Sequence, residues 1–235
     1  MLMLSIESSA KPASVAVYEV SAASSEGGKL LGQYFQNSGF SHSRTLLVMA
    51  ESLMKNLDIK PSDLSLIAVA KGPGSFTGVR IGVSAAKGLA WGLDVPICGV
   101  STLEAMAYQT RQSGIIICPV MDARRCQVYN ALFEWREGVP IRLCDDRAVS
   151  LDELALDLNR YELPCMLVGD GIAVASDHLS NQKNRLIDTP ELLRYQTAYG
   201  VALAAVNAEP VPAAQLEPFY LRPSQAEREM ASHSS

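Results

Sequence analysis

The chain has 235 residues, 48% hydrophobic and 19% charged, with 20 Lys+Arg against 25 Asp+Glu for a net charge of -5. That length suffices for one large domain or two lobes with a core that needs no disulfide or metal, and the acidic balance excludes a protein that holds nucleic acid by bulk electrostatics alone. No apolar run approaches the ~20 residues of a membrane helix, no basic leader with a cleavage site opens the chain, and five Cys without a CxxC read as small buried hydrophobes of a cytoplasmic protein.

Met3 to Ile6 reads as a strand, Glu7-Ser8-Ser9 as a polar turn, and Ser14 to Tyr18 as the returning strand of a hairpin. Residues 21–28 form a loop and Lys29 to Gln36 a third strand. Leu46, Leu47, Ala50, Leu53, Met54 and Leu57 recur at helical spacing, so a helix runs from 41 to 57 with Ser41 or Ser43 as its cap. Leu66 to Ala70 is a continuous apolar run, as in a buried parallel strand. Lys71-Gly72-Pro73-Gly74-Ser75-Phe76-Thr77-Gly78 leads from it into a helix reaching Trp91.

Gly74, Gly78, Gly82, Ala86 and Ala90 are spaced by four and lay a stripe of small residues along that second helix. A helical glycine costs about 1 kcal/mol relative to alanine, so the stripe needs an offsetting gain, and close approach to another backbone supplies one. After a strand at 95–100, Ser101-Thr102-Leu103-Glu104 reads as a capping box. Ile115 to Met121 is a strand ending in Asp122-Ala123-Arg124-Arg125, and Cys126 to Trp135 alternates as its returning partner. The second half thus repeats the order of the first, and Met166 to Gly171 is a shorter echo of 67–74. Two related α/β lobes follow, 1–101 and 102–222, with a polar tail at 223–235.

The segment from Gly72 to Gly82 is neither a Walker A loop nor GxGxxG nor a nucleophile elbow. A glycine turn at a helix start can hold phosphate on free N–H groups, which makes Glu7, Ser8, Ser9, Gly72, Gly74, Ser75 and Thr77 candidate phosphate contacts. The alternative is a tight turn beside a closely packed helix. His42 is either catalytic or a structural residue at a helix start; the other two His are 178 and 233. Asp122 to Arg125 is either a charge cluster for RNA phosphate or a solvated hairpin tip.

Ile6-Glu7-Ser8-Ser9, Ser41-His42-Ser43-Arg44, the run from Gly72 to Gly82, Asp122-Ala123-Arg124 and Tyr220-Leu221-Arg222-Pro223 together resemble the TsaB (YeaZ) family over nearly the whole chain. The resemblance implies an actin-like ASKHA (ribonuclease H-like) α/β fold of two lobes with mixed sheets, the second shortened. It also implies work on N6-threonylcarbamoyladenosine at position 37 of tRNAs that read ANN codons, as the dimerisation subunit of the paralogous transferase TsaD, with TsaE as an associated ATPase. In TsaD a metal-binding H-x-x-x-H follows a strand, and the corresponding positions here are Thr102 and Met106, neither suited to a hard or borderline divalent ion.

The resemblance therefore assigns this chain no catalytic residue, no metal and no cofactor of its own, with ATP or ADP entering only in the complex and tRNA only through it. The expected interface, with TsaD or with a second copy, is His42, Leu46, Leu47 and Ala50 of the first helix and Gly74, Gly78, Gly82, Ala86 and Ala90 of the second. On that expectation Gly82→Leu blocks pairing and spares the fold. The rival reading is an ATPase or sugar-kinase-like phosphotransferase using Glu7, Ser8 and the 72–78 turn. A metalloprotease is disfavoured by the lack of a His pair at ligand spacing.

Overall fold

The computed structural model describes residues 1–21, 27–39, 41–180 and 186–222. The expected tail at 223–235, with His233, and most of the 21–28 loop lie outside these residues. The first sheet holds β1 (Leu2–Glu7), β2 (Ala13–Val20), β3 (Gly28–Gln36), β4 (Leu64–Gly72) and β5 (Ile97–Ser101) in the order β3-β2-β1-β4-β5. The β1–β2 and β2–β3 pairs are antiparallel, while β4 lies parallel to β1 and β5 parallel to β4. Strand alternation sorts its side chains onto two cores. Leu4, Ile6, Ile67 and Val69 face α1 (His42–Asn56) and α2 (Phe76–Leu93). Met3, Leu66, Ala68 and Ala70 face α6 (Ala198–Ala205).

The second sheet repeats that plan. Its path is β10 (Arg147–Ser150), β7 (Gln127–Asn130), β6 (Ile116–Asp122), β11 (Cys165–Val168) and β12 (Leu186–Ile187). Two antiparallel neighbours again flank one side of the leading strand and two parallel ones the other. A hairpin of β8 (Phe133–Arg136) and β9 (Val139–Arg142) is added beside β6. Helices α4 (Leu151–Leu158) and α5 (Ile172–Leu179) cover one face, and α3 (Thr102–Thr110) covers the other.

Several expectations change. The single strand expected over 126–135 is two strands, because Asn130 is wholly buried and diverts the chain. Its amide donates to the Pro119 and Ala131 carbonyls at 2.9 and 3.0 Å, and its Oδ1 accepts from Arg147. The segment from 198 to 216, expected in the second lobe, returns to the first. Ser5 Oγ donates to the Ala198 carbonyl at 2.8 Å, and Ser14 Oγ accepts from the Ala198 N–H at 3.1 Å. The Val211 and Ile97 backbones bond in both directions, and Leu216 joins the α1/α2 core. A sheet face made of Ser5, Ala16, Ala68 and Ala70 lets this alanine-rich helix come close.

Helix ends differ in detail. Ser41 makes no side-chain cap, and its hydroxyl bonds Ser43 instead. Ser101 caps α3 through the Glu104 N–H, but the Glu104 carboxylate turns away to Arg142, so no capping box closes there. Leu47 sits on the outer face of α1 and is exposed. Cys98, Cys118 and Cys165 are buried as expected, whereas Cys126 is exposed at a hairpin tip.

Candidate functional site

The glycine turn meets the opening turn inside the first lobe. Glu7, Ser8 and Ser9 are buried rather than a solvated turn. Ser75 N–H donates to the Ser9 carbonyl at 2.6 Å, Ser8 Oγ donates to the Gly78 carbonyl at 2.9 Å, and Ser75 Oγ caps the Gly78 N–H. A Cβ on Gly74 would lie well inside 3.0 Å of the Ser9 carbonyl oxygen, one on Gly78 equally close to that of Ser8, and one on Gly82 to Ser8 Oγ. Gly72, at φ +115, makes the same kind of approach to the Phe219 carbonyl oxygen.

The seven candidate phosphate contacts therefore do not form a cradle. The Ser75 N–H, which a phosphate would use, is taken by Ser9, and the chain's own backbone fills the space between the two turns. Thr77 points outward on the exposed side of the first helical turn. Glu7 does not suit a cation either. Burial raises its carboxyl pKa to about 7, against the hydrogen bond that the Ser9 N–H donates to its Oε1 at 2.6 Å, with a smaller push from Asp170. It is half-protonated near neutrality, and its Oε2 has no partner.

Asp170 begins the second lobe's counterpart of this turn. Burial raises its pKa as well, and it accepts from Gln196 Nε2 at 2.9 Å. The two positions that resemblance equates with metal ligands lie between the lobes and are both buried. Met106 Sδ lies 2.8 Å from where a Gly169 Cβ would stand, so the thioether packs on the second lobe's glycine turn. Thr102 Oγ1 has no partner. Among the described residues no three His, Cys, Asp or Glu cluster as a metal site would require.

The expected interface is corrected by the same geometry. Gly74, Gly78, Gly82, Ala86 and Ala90 pack inward against the opening turn and the first core, and Leu46 and Ala50 are core residues of α1. Of the original set, Leu47 is exposed and His42 and Gly74 are half-buried, while the rest are buried. His42 Nε2 donates to the Ala10 carbonyl at 2.8 Å, which gives it the structural role. The outer face of α2 carries a second run of small residues, Ser84, Ala85, Gly88 and Gly92, and a Cβ on Gly88 or Gly92 would meet nothing within 4 Å. Between α1 and α2 this face forms a groove of about 440 Å³ whose walls include Leu47, Arg80, Ile81 and Ala85. Leu47, Val48 and Trp91 are 49%, 58% and 74% exposed.

The hairpin tip at 122–127 is held by hydrogen bonds from within the turn and from Arg222. Asp122 Oδ1 accepts from the Arg124 N–H at 2.7 Å, and Arg222 donates to the Ala123 carbonyl at 3.0 Å. Arg124, Arg125 and Cys126 all take positive φ. His178 pairs with Asp152 at an exposed site in the second lobe.

Comparison with known proteins fits this picture. A family model described as TsaD: tRNA N6-adenosine threonylcarbamoyltransferase matches residues 36–227. A Bacillus subtilis protein named tRNA threonylcarbamoyladenosine biosynthesis protein TsaB is 41% identical over 140 residues, 60% of this chain and 61% of that protein. The chain thus aligns with less than two thirds of that relative's length. The protein of the same name from Buchnera aphidicola subsp. Schizaphis graminum is 33% identical over 179 residues, 72% of this chain and 79% of that one. A solved structure, YeaZ from Pseudomonas aeruginosa, superposes with a TM-score of 0.77 at 25% identity, covering 94% of this chain and 99% of that one. The fold is the expected actin-like α/β arrangement with mixed sheets, its two halves built on one strand order.

Proposed function

The chain belongs to the tRNA N6-adenosine threonylcarbamoyltransferase family, on its TsaB side, and we propose that it is the non-catalytic subunit of a machinery that makes N6-threonylcarbamoyladenosine at position 37 of ANN-reading tRNAs. It acts in the cytoplasm by pairing with a TsaD-related transferase, which TsaE joins. One observation supports the non-catalytic reading: Thr102 and Met106, the positions that the resemblance equates with the paralogue's metal-binding His, are buried side chains unsuited to a metal, and the adjoining glycine turn is closed by Ser8 and Ser9. The closed turn equally gives the phosphotransferase reading no phosphate cradle.

The pairing surface is the outer face of α1 and α2. Exposed Leu47, Val48 and Trp91 supply apolar area, and Ala85, Gly88 and Gly92 let a partner helix approach closely. Alone, the chain pairs with a second copy through this face. Co-purification with the TsaD-related protein of the same organism tests the surface. Leu47→Asp with Ala85→Arg keeps the melting temperature within a few degrees and abolishes co-elution. Undiminished co-elution of the folded double variant contradicts the assignment.

A further inference from the structure

A cavity on the other side of the first sheet has no part in that reading. It encloses about 610 Å³ where the ends of β4, β5 and α6 meet α3 and the 142–146 loop. Gly99 lies in its floor, inside strand β5. A side chain there would strike Leu216 and press on Lys71, whose Cδ is 3.1 Å from the position of a Gly99 Cβ. A glycine inside a strand marks close approach by another group, and here its bare backbone lets the Lys71 side chain lie across the cavity floor.

Charge on the walls falls into two sets. Arg142 is consumed: it pairs with Asp146 and with Glu104, and Ser101 Oγ donates to the same Asp146. Lys71 and Asp145 also line the cavity, and among the described residues neither makes an ion pair or a side-chain hydrogen bond. No ion pair joins them, so the cavity presents one unpaired ammonium and one unpaired carboxylate. Val100, Tyr108 and Phe219 supply an apolar wall. Behind the floor, burial pushes the Cys98 thiol up to about 11, so the cavity offers charge and surface but no thiolate nucleophile.

A few charged groups on a partly apolar cavity are the usual form of a small-molecule site. The walls hold one more carboxylate than cation, which disfavours a phosphate ester. A ligand complementary to both free groups bears a carboxylate and an ammonium together. We propose that this cavity binds a free α-amino acid, its carboxylate on Lys71, its ammonium on Asp145 and its side chain against the apolar wall. This site is separate from the partner surface and independent of that reading.

Isothermal titration of the full chain with glycine, L-threonine, L-leucine and L-phenylalanine tests it, beside the N-acetyl and carboxamide forms of each. The expected result is a Kd tighter than about 1 mM for at least one amino acid, weakened at least tenfold by blocking either end. Lys71→Met and Asp145→Asn each weaken it at least tenfold, while co-elution with the TsaD-related partner persists. The proposal is overturned if none of the four binds that tightly, if blocked forms bind equally, or if the folded variants bind as the parent does. Should a variant fail to fold, the blocked ligands decide alone.

Discussion

Gly78 and Gly88 lie on one helix and differ in what a methyl group would meet, so the same substitution should act with opposite sign. At Gly88 a Cβ meets nothing within 4 Å, and Gly→Ala then gains about 1 kcal/mol from helix propensity and the reduced entropy of the unfolded chain. At Gly78 the gain is the same, but the Cβ runs into the Ser8 carbonyl oxygen, which is backbone and cannot rotate away. Overpacking of this kind costs about 3 kcal/mol at the upper end of its usual range, leaving a net loss of about 2 kcal/mol. For a chain of this size each kcal/mol moves the melting point by about 2–4 °C. Gly88→Ala should therefore melt about 3 °C higher and Gly78→Ala about 6 °C lower, by calorimetry and by urea titration. If Gly78→Ala is as stable as Gly88→Ala, the small stripe is not held by the opening turn. The same reasoning reverses the expectation for Gly82→Leu, which should damage the fold because its Cβ meets Ser8 Oγ.

The Glu7 carboxyl holds its proton in the folded chain up to a pH of about 7 against an ordinary value of 4.5. The folded state binds the extra proton between those values, so the contribution is fully present below pH 4.5 and is lost as pH rises through 7, about 3 kcal/mol in all. Urea titrations at pH 5 and pH 8 should show Glu7→Gln with the flatter dependence, whereas parallel profiles would place the titration elsewhere. Asn130→Ala strands the two carbonyls it serves and removes the Arg147 acceptor; a loss of about 3 kcal/mol in urea is expected, and a loss below 1 would mean the strand break has another cause. Ser150 closes a capping box on α4 with Glu153, so Ser150→Ala should cost about 1 kcal/mol by the same assay. An unchanged midpoint would contradict that role.

Much of the architecture was legible because its signals are local. The apolar alternation of the strands, the turn before Ser75 and the repeat of strand, turn and strand each depend on neighbours in sequence. The small residues of α2 show where such legibility stops. Spacing by four revealed a stripe at Gly74 to Ala90, but Ser84, Gly88 and Gly92 have the same spacing on another face. Which stripe faces inward depends on Ser8 and Ser9, some seventy residues earlier, so spacing alone does not tell the inward stripe from the outward one. Asn130 sits in an alternating run and gives no sign in sequence that it is buried and breaks the strand. The return of α6 rests on two serines, at 5 and 14, whose partner lies more than 180 residues away. Lys71 and Asp145 likewise line one cavity only through the packing of both lobes.

The central claim is that this chain supports tRNA modification without performing the transfer. Reconstitution with purified tRNA, threonylcarbamoyl-adenylate, TsaE and the TsaD-related protein, with nucleoside analysis by mass spectrometry, tests it most directly. Modified adenosine should accumulate only when both this chain and the TsaD-related protein are present, and should survive Thr102→Ala and Glu7→Gln in this chain. Product formed by this chain with the TsaD-related protein omitted, or an undiminished rate with this chain left out, would contradict it.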